Sequence, residues 1–205
     1  MNARPDLALR RRETRLAILQ AAIAEFAEKG LDGATTQGIA DRAGITKTKL
    51  HYHIGSKEEL YTEALAQVLA TWNELFHGLD MSNGPKAFLT AYIRRKVAHA
   101  IAQSDEVRLF TGEIMRGAPY LRAKRDKSRA ATREAAEVIQ GWVSAGLIRP
   151  VDPMLLQFNL WAMTERYALH QAEARFMLGL ADDAAPDIDA IADSITTLVL
   201  HGLLA

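Results

Sequence analysis

The stretch from Thr36 to Ile54 sets two short amphipathic segments on either side of Gly44. Ile39 and Ala40 give the first segment an inner face, Gly44 permits a tight turn, Ile45 fills the gap, and Thr46 can cap the second segment. Leu50 and Ile54, four residues apart, turn the second segment inward and leave Lys47, Thr48, Lys49, His51 and Tyr52 to share its outer surface. Hydroxyl, amine and imidazole groups on such a face can meet phosphates and base edges in a major groove. An amphipathic hairpin that only packs on a third helix would have the same spacing.

Three further charged residues fall on otherwise apolar helical faces. Lys96 continues the line Phe88–Tyr92 in steps of four, Glu113 follows Leu109 and Phe110, and Glu165 follows Phe158, Trp161 and Ala162. A charge on a buried face is costly unless it is paired. Two explanations fit: a polar ligand in a pocket lined by Trp72, Phe110 and Trp161, or internal pairing of Lys96 with Glu113 or Glu165. Other chemistries find little support. The chain has no cysteine, His51 and His53 point to different sides of a helix, and His77, His99, His170 and His201 stand alone. Ser104, Ser128, Ser144 and Ser194 lack the setting of an activated nucleophile, and no glycine-rich phosphate loop occurs. No metal and no cofactor are expected.

The elements that must position these groups all read as helices, so the fold class is all-α. A first helix from about Glu13 to Lys29 carries Leu16, Leu19, Ile23 and Phe26 on one face and stops at Gly30. Short helices follow at about Thr36–Ala43 and Thr46–Ile54. Ser56 and Glu59 form a capping box for a long helix that fades at Gly78. Asn83-Gly84-Pro85 breaks the chain. Helices are then expected at about Lys86–Ala102, Asp105–Met115 and Pro119–Ala145. Asp152 caps the next helix, with Pro153 in its first turn and an end near Leu178. A final amphipathic helix carries Ile188, Ile191, Ile195, Leu198 and Val199. The expected division is residues 1–57, an N-terminal arm and helix-turn-helix, and residues 58–205, a helical bundle whose first helix is shared between the two.

Composition agrees with a soluble globular chain. Of 205 residues, 49% are hydrophobic and 24% charged, with 25 basic and 25 acidic side chains. No apolar run reaches membrane-spanning length, and the charged N-terminus has no apolar signal segment, so a cytoplasmic protein is expected. The charge is unevenly placed. Residues 1–57 carry ten Lys and Arg against six Asp and Glu, whereas residues 151–205 carry two against eight. A basic front and an acidic back suit a polyanion at one end. The run Arg10-Arg11-Arg12 could reach a neighbouring minor groove or simply be solvated.

The stretch from Thr35 to Tyr61 closely resembles the DNA-binding region of TetR-family transcriptional regulators. His51 stands where the family usually has an aromatic residue, often Tyr, and Ile54 where it usually has Phe. The resemblance implies that Thr35, Thr36, Tyr52 and Lys57 hold phosphates, and that Gln37, Thr46, Lys47, Thr48, Lys49 and His51 face bases or groove walls. The second half resembles a narrower group that includes the bacterial regulator of pyrimidine utilisation. Its matching pieces are Tyr92–Lys96, Arg108–Leu121, Gly141–Val143, Val151–Pro153 and Leu160–Tyr167. Trp72, Lys96, Trp161, Thr164 and Tyr167 match that group, whereas Glu165 and Arg166 stand where an amide and an imidazole would be expected. An ionised carboxylate only accepts hydrogen bonds, so Glu165 suits a ligand with donor groups better than a uracil-like one.

The resulting expectation is a homodimeric repressor that binds double-stranded DNA at a palindromic operator and is released by a small-molecule effector. The candidate effector site comprises Trp72, Lys96, Phe110, Glu113, Trp161, Glu165 and Tyr167. Long apolar stripes on the last two helices, together with the resemblance, suggest the dimer. No membrane partner is expected. The alternatives are a helical adaptor that binds only protein and a small helical enzyme using Glu113 and Glu165 as acid and base.

Overall fold

The computed structural model describes residues 4–204, and the side chains of all of these except 4–7, 77, 123–125, 127 and 128. The side chains of His77 and Ser128, considered above, lie outside the described ones. Among the described residues there are ten α-helices, one 3-10 segment and no strand. They form two compact units, one of residues up to Leu69 with Arg108–Arg122, the other of Ala70–Val107 with the residues from Ala123 onward.

The first unit holds α1 (Arg4–Gly33), α2 (Thr36–Arg42), α3 (Lys47–His53) and the start of α4 (Lys57–His77). The helix of α1 begins at Arg4 rather than Glu13, because Leu7 to Arg12 are all good helix formers. Its path is interrupted at Gly30, with φ 69° and ψ 176°. The buried stripe of α1 is centred on Ile18, Ala22 and Glu25. That centre leaves Leu16, expected on the inner face, at the margin and 50% exposed.

Glu25 is fully buried and ties the short helices to α1. Its carboxylate accepts from Lys29 Nζ at 2.9 Å, Arg42 Nε at 2.8 Å and the Thr35 backbone N–H at 3.4 Å. Thr35 is the N-cap of α2 and Arg42 its last residue, so one carboxylate holds both ends of that helix. Burial opposes ionisation of Glu25, but the bonds from Lys29, Arg42 and Thr35 outweigh it and hold the carboxyl below its ordinary value. Gly38 is the position that lets α2 come this close. A Cβ there would lie 2.2 Å from Glu25 Oε1 and 2.7 Å from its Cδ. Gly44, at φ 65°, makes the turn between α2 and α3 in a conformation that glycine adopts without strain.

The caps that set the register match the sequence pattern. Thr35 Oγ1 accepts from the Gly38 N–H and Thr46 Oγ1 from the Lys49 N–H. At the start of α4, Ser56 Oγ accepts from the Glu59 N–H at 3.0 Å and the Glu59 carboxylate accepts from the Ser56 N–H at 3.1 Å.

In the second unit α5 (Gly84–Ala102) packs against α8 (Pro153–Leu169) and α10 (Ile188–Leu203), and α7 (Arg125–Ser144) against α8. Phe88, Tyr92, Ile93, Trp142, Leu160 and Ile195 are central to its core. Asp152 caps α8 by accepting from the Met154 and Leu155 N–H groups. Two expected helices are subdivided. The one expected from Pro119 opens as a 3-10 segment, Pro119–Lys124, before α7. The one from Pro153 breaks at His170, with φ −123° and ψ 41°, giving a separate α9 (Gln171–Met177). The remaining α6 (Ser104–Met115), like α4, begins in one unit and ends in the other. No described helix is long and apolar enough to cross a membrane.

Because the folded-state value of Glu25 is depressed, its contribution to stability is present above the unfolded value and is lost as pH falls through the folded one. Glu25→Gln is expected to cost about 2 kcal/mol at pH 7 and to flatten the loss of stability on acidification below pH ~4.5, seen in urea midpoints against pH. Equal acid sensitivity in both proteins would remove Glu25 as its source. Gly38→Ala should cost a similar amount.

Candidate nucleic-acid interface and a buried charge cluster

On α3, Leu50 is fully buried and Ile54 nearly so, while Lys47, Thr48, Lys49, His51 and Tyr52 are all exposed. Helical geometry puts Thr48 and Tyr52 about 200° round from Leu50, on the outermost ridge, with Lys49 and His51 on its flanks and Lys47 exposed at the first position of the helix. Tyr52 is 75% exposed and meets the His53 ring edge-on, with centroids 5.4 Å apart. His53 is held below its ordinary value by burial and by the charges of Arg11, Lys49 and Arg15. The surface around α3 is therefore cationic through Arg11, Lys49 and Arg15, whose charges disfavour a further one on His53.

The neighbouring residues differ in how freely they can donate. Thr35 and Thr46 use their hydroxyl oxygens as cap acceptors and keep the O–H for another partner. Thr36 is half-buried at the first position of α2. Gln37 is exposed, but its amide nitrogen donates to Asp41 Oδ1 at 2.7 Å. Lys57 is committed more deeply than its place in the sequence suggests. Its ammonium donates to Leu31 O at 2.7 Å and Ala34 O at 3.0 Å, closing the carbonyl end of α1. One N–H remains for an anion. Sequence reasoning missed this role because the two carbonyls are 26 and 23 residues away.

The three charges on apolar faces separate into two arrangements. Glu113 is fully buried in the first unit, where its carboxylate accepts from Tyr61 Oη at 3.1 Å, the Tyr120 N–H at 2.7 Å and Arg116 at 3.4 Å. Arg116 also donates to Tyr61 Oη. Burial and the adjacent Glu113 charge push the Tyr61 hydroxyl well above its ordinary value, so it remains a donor. Phe110, half-buried, belongs to the same unit. Glu113 is thus supplied with internal partners.

Lys96 is 5% exposed in the second unit, and its ammonium donates to Glu165 Oε1 at 3.1 Å. Trp72 and Trp161 flank it, with ring centroids 5.2 Å and 5.8 Å from Nζ. Burial lowers the Lys96 value despite the attraction of Glu165. Beside it, Tyr92 is pushed up to about 12 by burial, partly offset by a hydrogen bond from Trp161, with the Glu165 charge adding to the rise. Tyr167 is half-buried against the main core. Of the internal pairings weighed from sequence, Lys96 with Glu165 forms. The ammonium has three donors but one carboxylate partner and two aromatic faces, and Glu165 keeps 19% of its side chain exposed. The cluster can therefore still offer the other donors of Lys96 and an acceptor on Glu165. No group of His, Asp and Glu suited to a metal occurs among the described residues.

An exposed cationic helix held by a capped turn, followed by a helical bundle, defines a helix-turn-helix regulator. The chain belongs to the TetR family: the model described as bacterial regulatory proteins, TetR family, matches residues 18–64, and that of the YcdC-like protein C-terminal region matches 65–205. It is similar to the HTH-type transcriptional regulator RutR of Escherichia coli K12, 34% identical over 85% of this chain and 76% of the relative. The fold is also that of the ketosteroid transcriptional regulator KstR2 of Mycobacterium tuberculosis, with TM-score 0.74 and 22% identity over 93% of this chain and 95% of that one. AibR, solved in complex with isovaleryl coenzyme A and operator DNA, gives 0.67 and 24% over 90% and 97%. With relatives of this kind, the chain is a transcriptional regulator and not an enzyme.

A double-mutant cycle tests how far Lys96 and Glu165 depend on each other. Glu165→Leu alone strands a buried ammonium and should cost about 3 kcal/mol, whereas adding Lys96→Met should recover most of it. Additive costs in denaturant titrations would show that the pair is not coupled.

Proposed function

We propose that the chain is a homodimeric, effector-responsive repressor that reads a palindromic operator through α3 of each protomer. The observation that carries this reading is the outer face of α3, with Lys47, Thr48, Lys49, His51 and Tyr52 exposed on a helix whose inner face is buried. In this reading Thr35, Thr36, Tyr52 and the remaining N–H of Lys57 hold phosphates. Gln37, Thr46, Lys47, Thr48, Lys49 and His51 meet the groove, with Gln37 released from Asp41 when it does so. The dimer is supported by Leu155, Phe158 and Leu198, which remain 57%, 48% and 67% exposed on α8 and α10. A two-fold dimer of readers requires a two-fold operator. Such a regulator acts at the chromosome, in the cytoplasm.

The effector is a small molecule held at Trp72, Lys96, Trp161 and Glu165, with Tyr167 beside them. The remaining donors of Lys96 face an acceptor on the ligand, and the free side of Glu165 faces a donor. Phe110 and Glu113, considered for the same site from sequence, are left out because Glu113 is taken up by Tyr61 and Tyr120. α4 contains Trp72 and also follows the capping box beside α3, so it links effector and reader along one helix. To move the DNA-bound population from 99:1 to 1:99, the effector must prefer one conformer by about 5.5 kcal/mol.

Selection of genomic fragments by the purified protein should return one palindromic site. Lys47→Ala and Thr48→Ala should change which bases are retained, at about 1–3 kcal/mol per lost contact. Equal loss on every sequence would remove the base-reading role. For the effector site, Glu165→Gln supplies an amide donor and should raise calorimetric affinity for uracil about tenfold. An unchanged affinity would leave Glu165 with its structural role alone.

A further inference from the structure

The basic run at residues 10–12 is helical. α1 is continuous from Arg4 through Arg15, so a minor-groove arm is ruled out by width: a helix with its side chains is about 10–12 Å across, and the minor groove about 6 Å. What remains is a rigid helical projection whose direction is fixed by Arg15. The Arg15 guanidinium donates to the His53 carbonyl at the end of α3, at 2.6 Å, and to Glu63 on α4 through Nε at 3.2 Å. Arg11 lies one turn before Arg15 on the same face of α1, is exposed, and has no carboxylate partner among the described residues. Its charge reaches His53, as do those of Lys49 and Arg15. Arg11, Arg15 and Lys49 therefore form one cationic surface that runs from α3 onto the start of α1. Glu13, about 200° round the helix from Arg11, lies on the opposite side.

We infer that the first turns of α1 are a second DNA-contacting element, with Arg11 meeting a backbone phosphate that flanks the groove entered by α3. The inference rests on the proposed DNA-binding function and adds a residue outside the helix-turn-helix. The partner is the phosphate backbone of the same duplex. Arg15 is spent on His53 and Glu63 and acts as a positioning residue, holding the projection against α3, while Arg11 supplies the charge. Guanidinium suits this task because it stays charged and forks onto two phosphate oxygens.

The test measures binding of the full chain to a mixed-sequence duplex of about 30 base pairs, long enough for two half-sites, across a salt series. Arg11→Ala should lower the slope of log affinity against log salt by about one per protomer and weaken binding about fivefold near 0.1 M salt. Glu13→Gln, which changes net charge by the same amount on the far side, should leave the slope unchanged. In the protein alone, Arg11→Ala should raise the His53 value measured by NMR, confirming that Arg11 sits beside α3. If the wild type binds and Arg11→Ala keeps its full slope, the inference is overturned while the DNA-binding reading stands. A Glu13→Gln effect as large as that of Arg11→Ala would also overturn it, since only the general field would be acting. Failure of the wild type to bind any duplex would overturn both.

Discussion

The head of this regulator depends on one buried carboxylate. Two seven-residue helices cannot hold their own shape in water, since a helix this short does not recover the cost of its nucleus. Glu25 supplies what α2 lacks, by accepting from its N-cap backbone and from its last side chain at once. The same carboxylate sets how closely α2 can approach α1, and only glycine at position 38 permits that distance. The reading face of α3 then follows, because α3 is joined to α2 through a tight turn and pinned by Leu50 and Ile54.

Buried charges recur elsewhere, with different outcomes. Glu113 is saturated by a phenol, a backbone N–H and a guanidinium, and its chemistry is closed. Lys96 is not saturated. One carboxylate and two indole faces compensate a desolvated ammonium incompletely, which explains why burial lowers its value even with Glu165 at 3.1 Å. Unspent donors next to flat aromatic walls are what make this cluster, and not Glu113, the effector site of the proposed function. A site such as Glu113, in which both carboxylate oxygens are engaged by internal donors, is suited to holding helices in register.

Lysine and arginine around the reader divide similarly into structural and available groups. Lys57 closes the end of α1 with two carbonyls, and Arg15 joins the end of α3 to Glu63, so both are mostly spent within the fold. Lys47, Lys49 and Arg11 are exposed, and in the proposed function their charges are the ones available to a polyanion. The basic residues in the N-terminal quarter therefore outnumber the cations free for a phosphate, because some of them are structural.

The sequence by itself determined most of the helices, their caps and the exposed face of α3. Each of these is a local pattern: Ser56 with Glu59, Asp152 before Pro153, Gly44 between two apolar-faced segments, and Leu50 with Ile54 at one helical step. Hydrogen-bond partners within four residues leave a signature in the order of residue types. The break at His170 and the 3-10 opening at Pro119 left no such signature, since the apolar pattern continues through both. Tertiary structure alone decided where long side chains end. Lys57 reaching Leu31, Glu25 reaching Arg42, and Lys96 choosing Glu165 while Glu113 takes Tyr61 are contacts between residues 17 to 69 positions apart. A flexible charged side chain has several partners within reach of its sequence pattern, and only the packing of the helices selects one.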